Sequence, residues 1–373
     1  MPKLSDLPDI NFVDIDKKAV EEEVFGIYYT ITKRPKLADG DPIRLFILFI
    51  VNVIIMLLNK LNHTGKMNML KDSEDEYLDG LGALVGTTRL EARGASTVIQ
   101  ITLSAERTQE TIIPMGTRVS PEKNIYFATA NDVIIPAGES TAQVTAICTE
   151  TGEIGNGYEA GTINQIVDPI AYVAKMVNIS TSEGGSDTEK DDPLRERIFT
   201  APESYSCAGP EGAYIYHAKS VSSAVIDAAT DSPSPGVVQL AVLLTGGVIP
   251  ENTVLGEIEE LLSGKTRRPL TDNLMVTPPE AVYYDINLKY WIYDGADASA
   301  VSIAVWKAIA EYKMWQRTKL GRDINPDEIT DRLKAISGVK RLEIASPVFT
   351  SVSKLQVAQD RNVSVAMEGS EEE

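Results

Sequence analysis

The apolar positions of this chain change period along its length, and each change marks a new kind of element. Over residues 1–90 the period is helical. Val20, Val24, Ile27, Tyr28 and Ile31 recur at helical spacing and predict one apolar helix face. Asp16 is placed to cap that helix and Pro35 to stop it. After the loop 36–40, Asp41-Pro42 forms a second cap-plus-proline start. The stretch 43–58 then reads IRLFILFIVNVIIMLL. On a helix, Asp41, Arg44, Asn52 and Asn59 fall within roughly a quarter of the circumference at about 100° per residue, and the rest is apolar. A helix apolar nearly all round is buried in protein or in lipid. The run is about 16 residues long, short of the roughly 20 that span a bilayer, and it carries Arg44 and Asn52. It is therefore expected in an inter-subunit bundle, with Ile43, Leu45, Phe46, Leu48, Phe49, Val51, Ile55 and Leu58 against partners. Two alternatives stay open: a central helix of the chain's own fold, and a membrane anchor. A further helix over 76–86 is expected to end in a glycine turn.

From 91 to 183 the period shortens to two. Ile99, Ile101 and Leu103 alternate with Gln100 and Thr102, as in a half-buried strand. Ile112-Ile113-Pro114-Met115-Gly116 recurs as Ile134-Ile135-Pro136-Ala137-Gly138. Each copy suits a type I turn with proline second and glycine fourth. Gly152, Gly155, Gly157 and Gly161 keep the stretch turn-rich, so a small sandwich or barrel-like β domain is expected.

The rest alternates. Over 184–280 the pattern predicts helices at 193–201, 211–221 and 253–262, and strands at 224–229, 237–244 and 274–277. Over 281–367 it predicts a last unit. In the strand 282–293, one face carries Val282, Tyr284, Ile286, Leu288, Tyr290 and Ile292, and the other Asp285, Asn287 and Lys289. Helices at 298–315 and from Pro326 to 337, then strands at 339–344 and 362–366, give a β-α-α-β order. That order suits a helix-covered, mostly antiparallel sheet. Tyr283, Trp291 and Tyr293 sit on the otherwise polar face. They mark a contact between copies, or they are covered by the domain's own helices. Residues 368–373 are expected to be a disordered acidic tail. The fold class is α+β and multidomain: N-terminal helices, a β-rich middle, then helix-covered sheets.

Composition narrows the chemistry. Acids outnumber bases 54 to 35, a net charge of −19, which is the wrong sign for binding a nucleic-acid backbone. Cys148 and Cys207 form no CxxC pair, and a reducing compartment during folding is expected. His63 and His217 are the two histidines, which leaves little for metal or Ser-His chemistry. The start carries no apolar stretch of the signal-peptide kind. Gly264-Lys265-Thr266 is no P-loop, because Glu259 stands where the earlier glycine belongs. Gly80, Gly82 and Gly86 miss the dinucleotide spacing. Asp187, Glu189, Asp191 and Asp192 lack the EF-hand order, so capping and turn formation explain them. Glu21, Glu22 and Glu23, like Glu259 and Glu260, read as solvated helix faces. No catalytic, cofactor-binding or metal-binding residue is singled out, and the expectation is a protein that is not an enzyme.

One block is specific. Gly184 to Ile198 reads GGSDTEKDDPLRERI. A glycine pair gives a turn, and Gly185 is expected to need a backbone conformation that other residues resist. Asp192-Pro193 reads as a helix cap with proline at the first helical position. Arg195 and Arg197 follow within the helix. Gly184, Gly185, Asp187, Glu189, Asp192, Arg195 and Arg197 are thus structural candidates. The block resembles the GGxDxExDxxLRxRI segment of the baseplate J-like family, wedge subunits of contractile phage tails and tail-like particles. Other pieces resemble the family in the same order: 7–13, 33–37, 41–44, Tyr77-Leu78-Asp79-Gly80-Leu81-Gly82, Ile113-Pro114-Met115-Gly116-Thr117, 267–271, 323–329 and 336–339. Pro210 and His217 depart from it, where threonine and tryptophan are common.

The resemblance implies a scaffold with no cofactor. Two copies would join a smaller tail protein through an N-terminal helical bundle. The C-terminal parts would pair neighbouring wedges into a ring around the tail hub. Rearrangement of that ring would reach the sheath through sheath-proximal baseplate proteins. It implies assembly in the bacterial cytoplasm, residence in the baseplate, no nucleic acid and no membrane insertion.

Overall fold

A computed structural model describes residues 4–33, 36–122, 124–205, 210–263 and 272–372, without the side chains of Ser5, Asn252 and Thr253. The stop expected at Pro35, Cys207 and the stretches 264–266 and 267–271 lie outside the described residues. The chain divides into two units, Met1–Arg89 with Lys190–Ala201, and Leu90–Glu189 with Pro202–Glu373.

Among the described residues the first unit has four α-helices: α1 (Lys17–Thr32), α2 (Pro42–Lys66), α3 (Asp75–Leu84) and α4 (Asp191–Thr200). The two predicted caps are formed. Asp16 accepts the Lys18 N–H and Asp41 the Ile43 N–H, each at 2.8 Å, satisfying amides that a helix start leaves without partners. Helix α2 is 25 residues long and continues past the apolar run to Lys66, with His63 and Lys66 in its last turn. Phe25, Ile47 and Val51 are buried between α1 and α2, flanked by Val20, Val24, Tyr28 and Tyr29. The predicted α1 face is rotated. Ile27 and Ile31 are exposed, and Phe25 takes the central place because it faces α2.

The second unit begins with β1 (Ser96–Leu103), β2 (Thr111–Ile113), β3 (Arg118–Ser120), β4 (Phe127–Thr129), β5 (Val133–Ile135), β6 (Thr141–Cys148), β7 (Gln165–Ile166) and β8 (Val173–Asn178). Six form one antiparallel sheet in the order β7-β3-β4-β6-β1-β8, nearly closed into a barrel, and β2 pairs with β5. Ile99, Ile101 and Leu103 point into its core as the alternation predicted. The repeated turns differ from expectation by one residue. Gly116 and Gly138 have φ of 84° and 85°, and Thr117 and Glu139 donate back to the Pro114 and Pro136 carbonyls. Proline is therefore first and glycine third, the position where a type II turn requires positive φ.

Next come α5 (Glu211–Lys219), β9 (Val225–Ser234), β10 (Val237–Leu244), α6 (Asn252–Leu262) and β11 (Asn273–Thr277). β10 is central, antiparallel to β9 and parallel to β11. The last layer holds β12 (Glu280–Tyr293), α7 (Ala298–Arg317), α8 (Pro326–Lys334), β13 (Val339–Ser346) and β14 (Gln356–Glu371). β12 lies between antiparallel β13 and parallel β14. Both sheets are thus mixed rather than mostly antiparallel. Tyr284, Ile286, Leu288, Tyr290 and Ile292 pack under Val301, Val305, Ile309, Tyr312, Ile329 and Leu333 of the helices.

The acidic end is not a loose tail. β14 runs to Glu371, where Arg341 meets that carboxylate at 2.9 Å, and Glu368 pairs with Lys289 at 2.6 Å. The two acids sit opposite bases on the same sheet, so their charge favours strand pairing.

One polar knot fixes the barrel end. Asn178 is 1% exposed. Its carbonyl oxygen accepts the Gly161 and Ile163 N–H groups, and its amide donates to the Tyr158, Glu159 and Ser180 carbonyls. Asn178→Ala strips buried backbone groups of partners at about 1–3 kcal/mol each. The urea midpoint of the full chain is expected to fall by an amount corresponding to about 3 kcal/mol or more, read by circular dichroism.

Candidate functional site

Among the described residues no group of three or more His, Cys, Asp and Glu is placed to hold a metal ion. The candidates are surfaces and a joining segment.

The α2 surface divides sharply. Val51 is fully enclosed by the chain's own α1–α2 packing, so it serves that core and not a partner. Leu48 and Ile55 pack beside it, and Leu58 is half-buried. Leu45, Phe46 and Phe49 stand 57%, 62% and 63% exposed, and Ile43 is also exposed. Met56, Leu57 and Leu61 join them, positions that the 43–58 run did not single out. Asn52 and Asn59 donate to the Leu48 and Ile55 carbonyls at 2.7 and 2.9 Å. Their amides are spent inside the helix, which leaves the open face apolar. By length and composition alone α2 also suffices to cross a membrane.

The glycine–acid–arginine block spans both units. In the second unit, Gly184 has φ of 81°, and a Cβ on Gly185 would lie 2.5 Å from the Gly152 carbonyl oxygen. The conformational demand therefore falls on Gly184, and Gly185 is needed for close backbone approach. The Asp187 carbonyl accepts from Ser223 Oγ at 2.7 Å, and the buried Glu189 carboxylate accepts the Leu90 N–H at 3.0 Å.

The first unit takes over at Lys190. Asp192 is not the helix cap. α4 starts one residue earlier with no side-chain cap, and the exposed Asp192 carboxylate pairs with Arg195 instead. The working carboxylate is Asp191, one of the acids assigned to capping and turn formation, and not Asp192, to which the cap was assigned. It accepts the Asp75 N–H at 3.0 Å and the Arg89 guanidinium at 2.7 Å, and Arg89 also holds Asp79 at 2.9 Å. The Asp75 amide and Arg89 together hold the Asp191 carboxyl below the usual carboxylate range. Arg195 donates to the Leu70 and Ser73 carbonyls at 3.0 and 2.7 Å, and the buried Arg197 to the Thr88 carbonyl at 3.2 Å. The carboxylates of Glu189, Asp191 and Asp192 thus each meet a donor of this chain, which explains those acids without an ion. The helix ties down the irregular backbone at 70–73 and 88 through its arginines, whose planar forks suit such contacts.

The second face of β12 carries no helix packing from α7 or α8. Tyr283 is 57% and Tyr293 41% exposed. Trp291 is half-buried beneath Arg341, whose guanidinium lies 3.3 Å from the ring centre, and Arg361 lies 5.2 Å from that of Tyr283. His217 is half-buried edge-on to Tyr216.

A barrel, a mixed sheet with two helices and a second mixed sheet with two helices follow one another along the chain. The Baseplate J-like protein barrel domain matches residues 99–185, the Baseplate J-like central domain 206–278, and the Baseplate J-like protein C-terminal domain 284–366. The chain belongs to the baseplate J-like family. Baseplate protein J of Escherichia phage P2 is 36% identical over 162 residues, 43% of this chain and 53% of that protein. The match thus spans about half the length of that relative. The cryo-EM structure of the anti-feeding prophage (AFP) baseplate, 6-fold symmetrised, gives a loose likeness: TM-score 0.37 and 12% identity, over 92% of this chain and 90% of that one.

Arg195→Ala removes the donor for two carbonyls at once, and is expected to cost about 2 kcal/mol in thermal or urea unfolding, with Arg195→Lys recovering only part. Asp191 also sets a pH dependence. Its carboxyl is lowered in the folded state, so its contribution is present above the ordinary range near about pH 4 and is lost as pH falls through the lower folded value. The stability gap between wild type and Asp191→Asn should be full at neutral pH and close in acid, as measured by urea midpoints across the pH range.

Proposed function

We propose that this chain is a structural wedge subunit of a contractile-tail baseplate, in a phage or a tail-like particle. In this reading it scaffolds the ring around the tail hub and relays attachment to sheath contraction, without catalysis. Residues 1–90 form the bundle segment, 91–183 the β-rich domain, 184–280 an α/β domain and 281–367 the domain that contacts other copies through Tyr283, Trp291 and Tyr293. Its partners are a second copy, a smaller tail protein, neighbouring wedges, the hub and sheath-proximal baseplate proteins. Nucleic acid is not among them. It folds in the bacterial cytoplasm and ends in the baseplate.

The observation that carries the reading is the open face of α2. Burying a Leu, Phe or Met side chain stabilises by about 1.5–3 kcal/mol. A contiguous row of such side chains on one helix marks an interaction site. Family membership supplies the setting, and the phage P2 relative, a baseplate protein by name, supports it. The Leu48 and Ile55 side chains already serve the α1–α2 core, so the informative substitutions are at the exposed positions. Phe46→Asp with Phe49→Asp should leave the chain folded and monodisperse. In a host lacking the native copy, the double variant should yield no particles with complete baseplates by negative-stain microscopy. Normal particles would sink the bundle reading.

The length and hydropathy of α2 favour one second reading, a membrane-anchored protein. Flotation with lipid vesicles separates the two: the wedge reading expects the purified chain to stay at the bottom of the gradient. For the C-terminal contact, Trp291→Ala with Tyr283→Ala should weaken self-association of the full chain in sedimentation equilibrium. An unchanged association constant would remove these residues from the contact.

A further inference from the structure

The second unit contains two inter-layer joints, and they are built from opposite materials. Between the central sheet and the last layer, Ala241 and Leu243 of β10 pack with Leu320 and Val357 in a shared apolar cluster. Asp227, 5% exposed, clamps this seam by accepting the Leu320 N–H at 2.9 Å and Lys319 Nζ at 3.3 Å. Gln359 adds a bond to the Gly247 carbonyl at 2.8 Å. Sliding this seam would open apolar surface and strand a buried carboxylate, so the two layers move together.

The joint between the barrel and the central layer has no such core. Among the described residues, the barrel cluster contains only barrel residues, and the cluster under α5 and α6 only central ones. The side-chain bonds that cross are polar: Ser223 to the Asp187 carbonyl, Ser186 against Ser222 at 3.3 Å, and Arg93 with Glu257 at 3.6 Å, while Val254 of α6 stands against Gly184. Two cavities, of about 610 and 360 Å³, share Gly184 and Ala224 in their linings. At the larger one, the Glu183 carboxyl of the barrel accepts the Glu251 N–H at 2.7 Å, just ahead of α6. A polar joint with cavities beside it loses little packing when it opens.

We propose that the barrel–central joint is the hinge of this unit, and that the Glu183 carboxyl is its latch. Glu183 is buried; Glu251 stands beside it just before α6, and Glu153 lines the same cavity from the barrel. Arg317 of α7 lies against Gly247 near the cavity, and Arg93 is engaged with Glu257 in the smaller one. Burial pushes the Glu183 carboxyl up to about 7, with the Glu251 charge adding to the rise against the pull of the amide bond. The sign follows. A carboxyl raised in the closed state holds the joint below its ordinary range, weakens as pH rises, and is spent above about 7. A neutral carboxyl keeps its acceptor oxygen on the amide, whereas the anion is desolvated beside the Glu251 charge. This inference is independent of the wedge reading, and neither falls with the other.

Hydrogen exchange of the full chain at about pH 6 and about pH 8.5, corrected for intrinsic rates, tests it. Protection of 181–185 and 248–255 should fall about tenfold between the two, while the Asp227–Leu320 seam stays unchanged. Glu183→Gln keeps the acceptor without the charge and should make that protection independent of pH. Equal wild-type protection at both pH values overturns the latch without reference to any variant. A tenfold loss that persists in Glu183→Gln, or an equal loss at the seam, overturns it too.

Discussion

Strand β10 has no solvent face, and the arrangement of the second unit depends on that. Leu240, Val242 and Leu244 lie with α5 and α6, while Ala241 and Leu243 lie with Leu320 and Val357. A strand buried on both sides must be apolar at consecutive positions, which is how VVQLAVLL reads. It must also be covered twice. The central helices do one half and the last layer the other, so the central and C-terminal layers share one body although the family describes them as separate domains.

The parts of the fold legible in the sequence were those where one local rule had no competitor. β12 alternates strictly over its central residues because one face is covered by helices and the other is not, so periodicity alone placed Tyr284 to Ile292 inward. Asp16 and Asp41 each directly precede the first helical residue, and both cap the helix. Where two residues competed for one role, the sequence could not choose. Asp191 and Asp192 are neighbouring acids just before Pro193. Which one is held depends on Arg89 and the Asp75 amide, distant in sequence. Ile27 and Phe25 both fit an apolar helix face, and only the position of α2 decides between them. The acidic end resembled a solvated tail because Lys289 and Arg341, which neutralise Glu368 and Glu371, lie in other strands.

The same limit governs the candidate surfaces. Apolarity of the 43–58 run was plain, but which half of the helix is already used is a tertiary fact. Val51 looked as available as Phe49, and the difference is about 100° of rotation per residue relative to α1. On β12, Tyr283 and Trp291 share a face, yet Arg341 covers one ring far more closely than Arg361 covers the other.

A chain of net charge −19 that carries such an apolar helix faces a conflict between solubility and assembly. Like charges keep copies apart in dilute solution, and the repulsion is screened beyond about 8–10 Å at physiological salt. The apolar face acts only at contact, where each buried side chain outweighs a screened surface charge. Association through α2 is therefore expected to be weak at long range and strong once docked. Because α2 packs on α1 along the Ile47–Val51 side, its exposed apolar side can be covered without unpacking the chain's own core. In the wedge reading, that separation of one helix into an internal and an external face would let the subunit fold first and assemble afterwards.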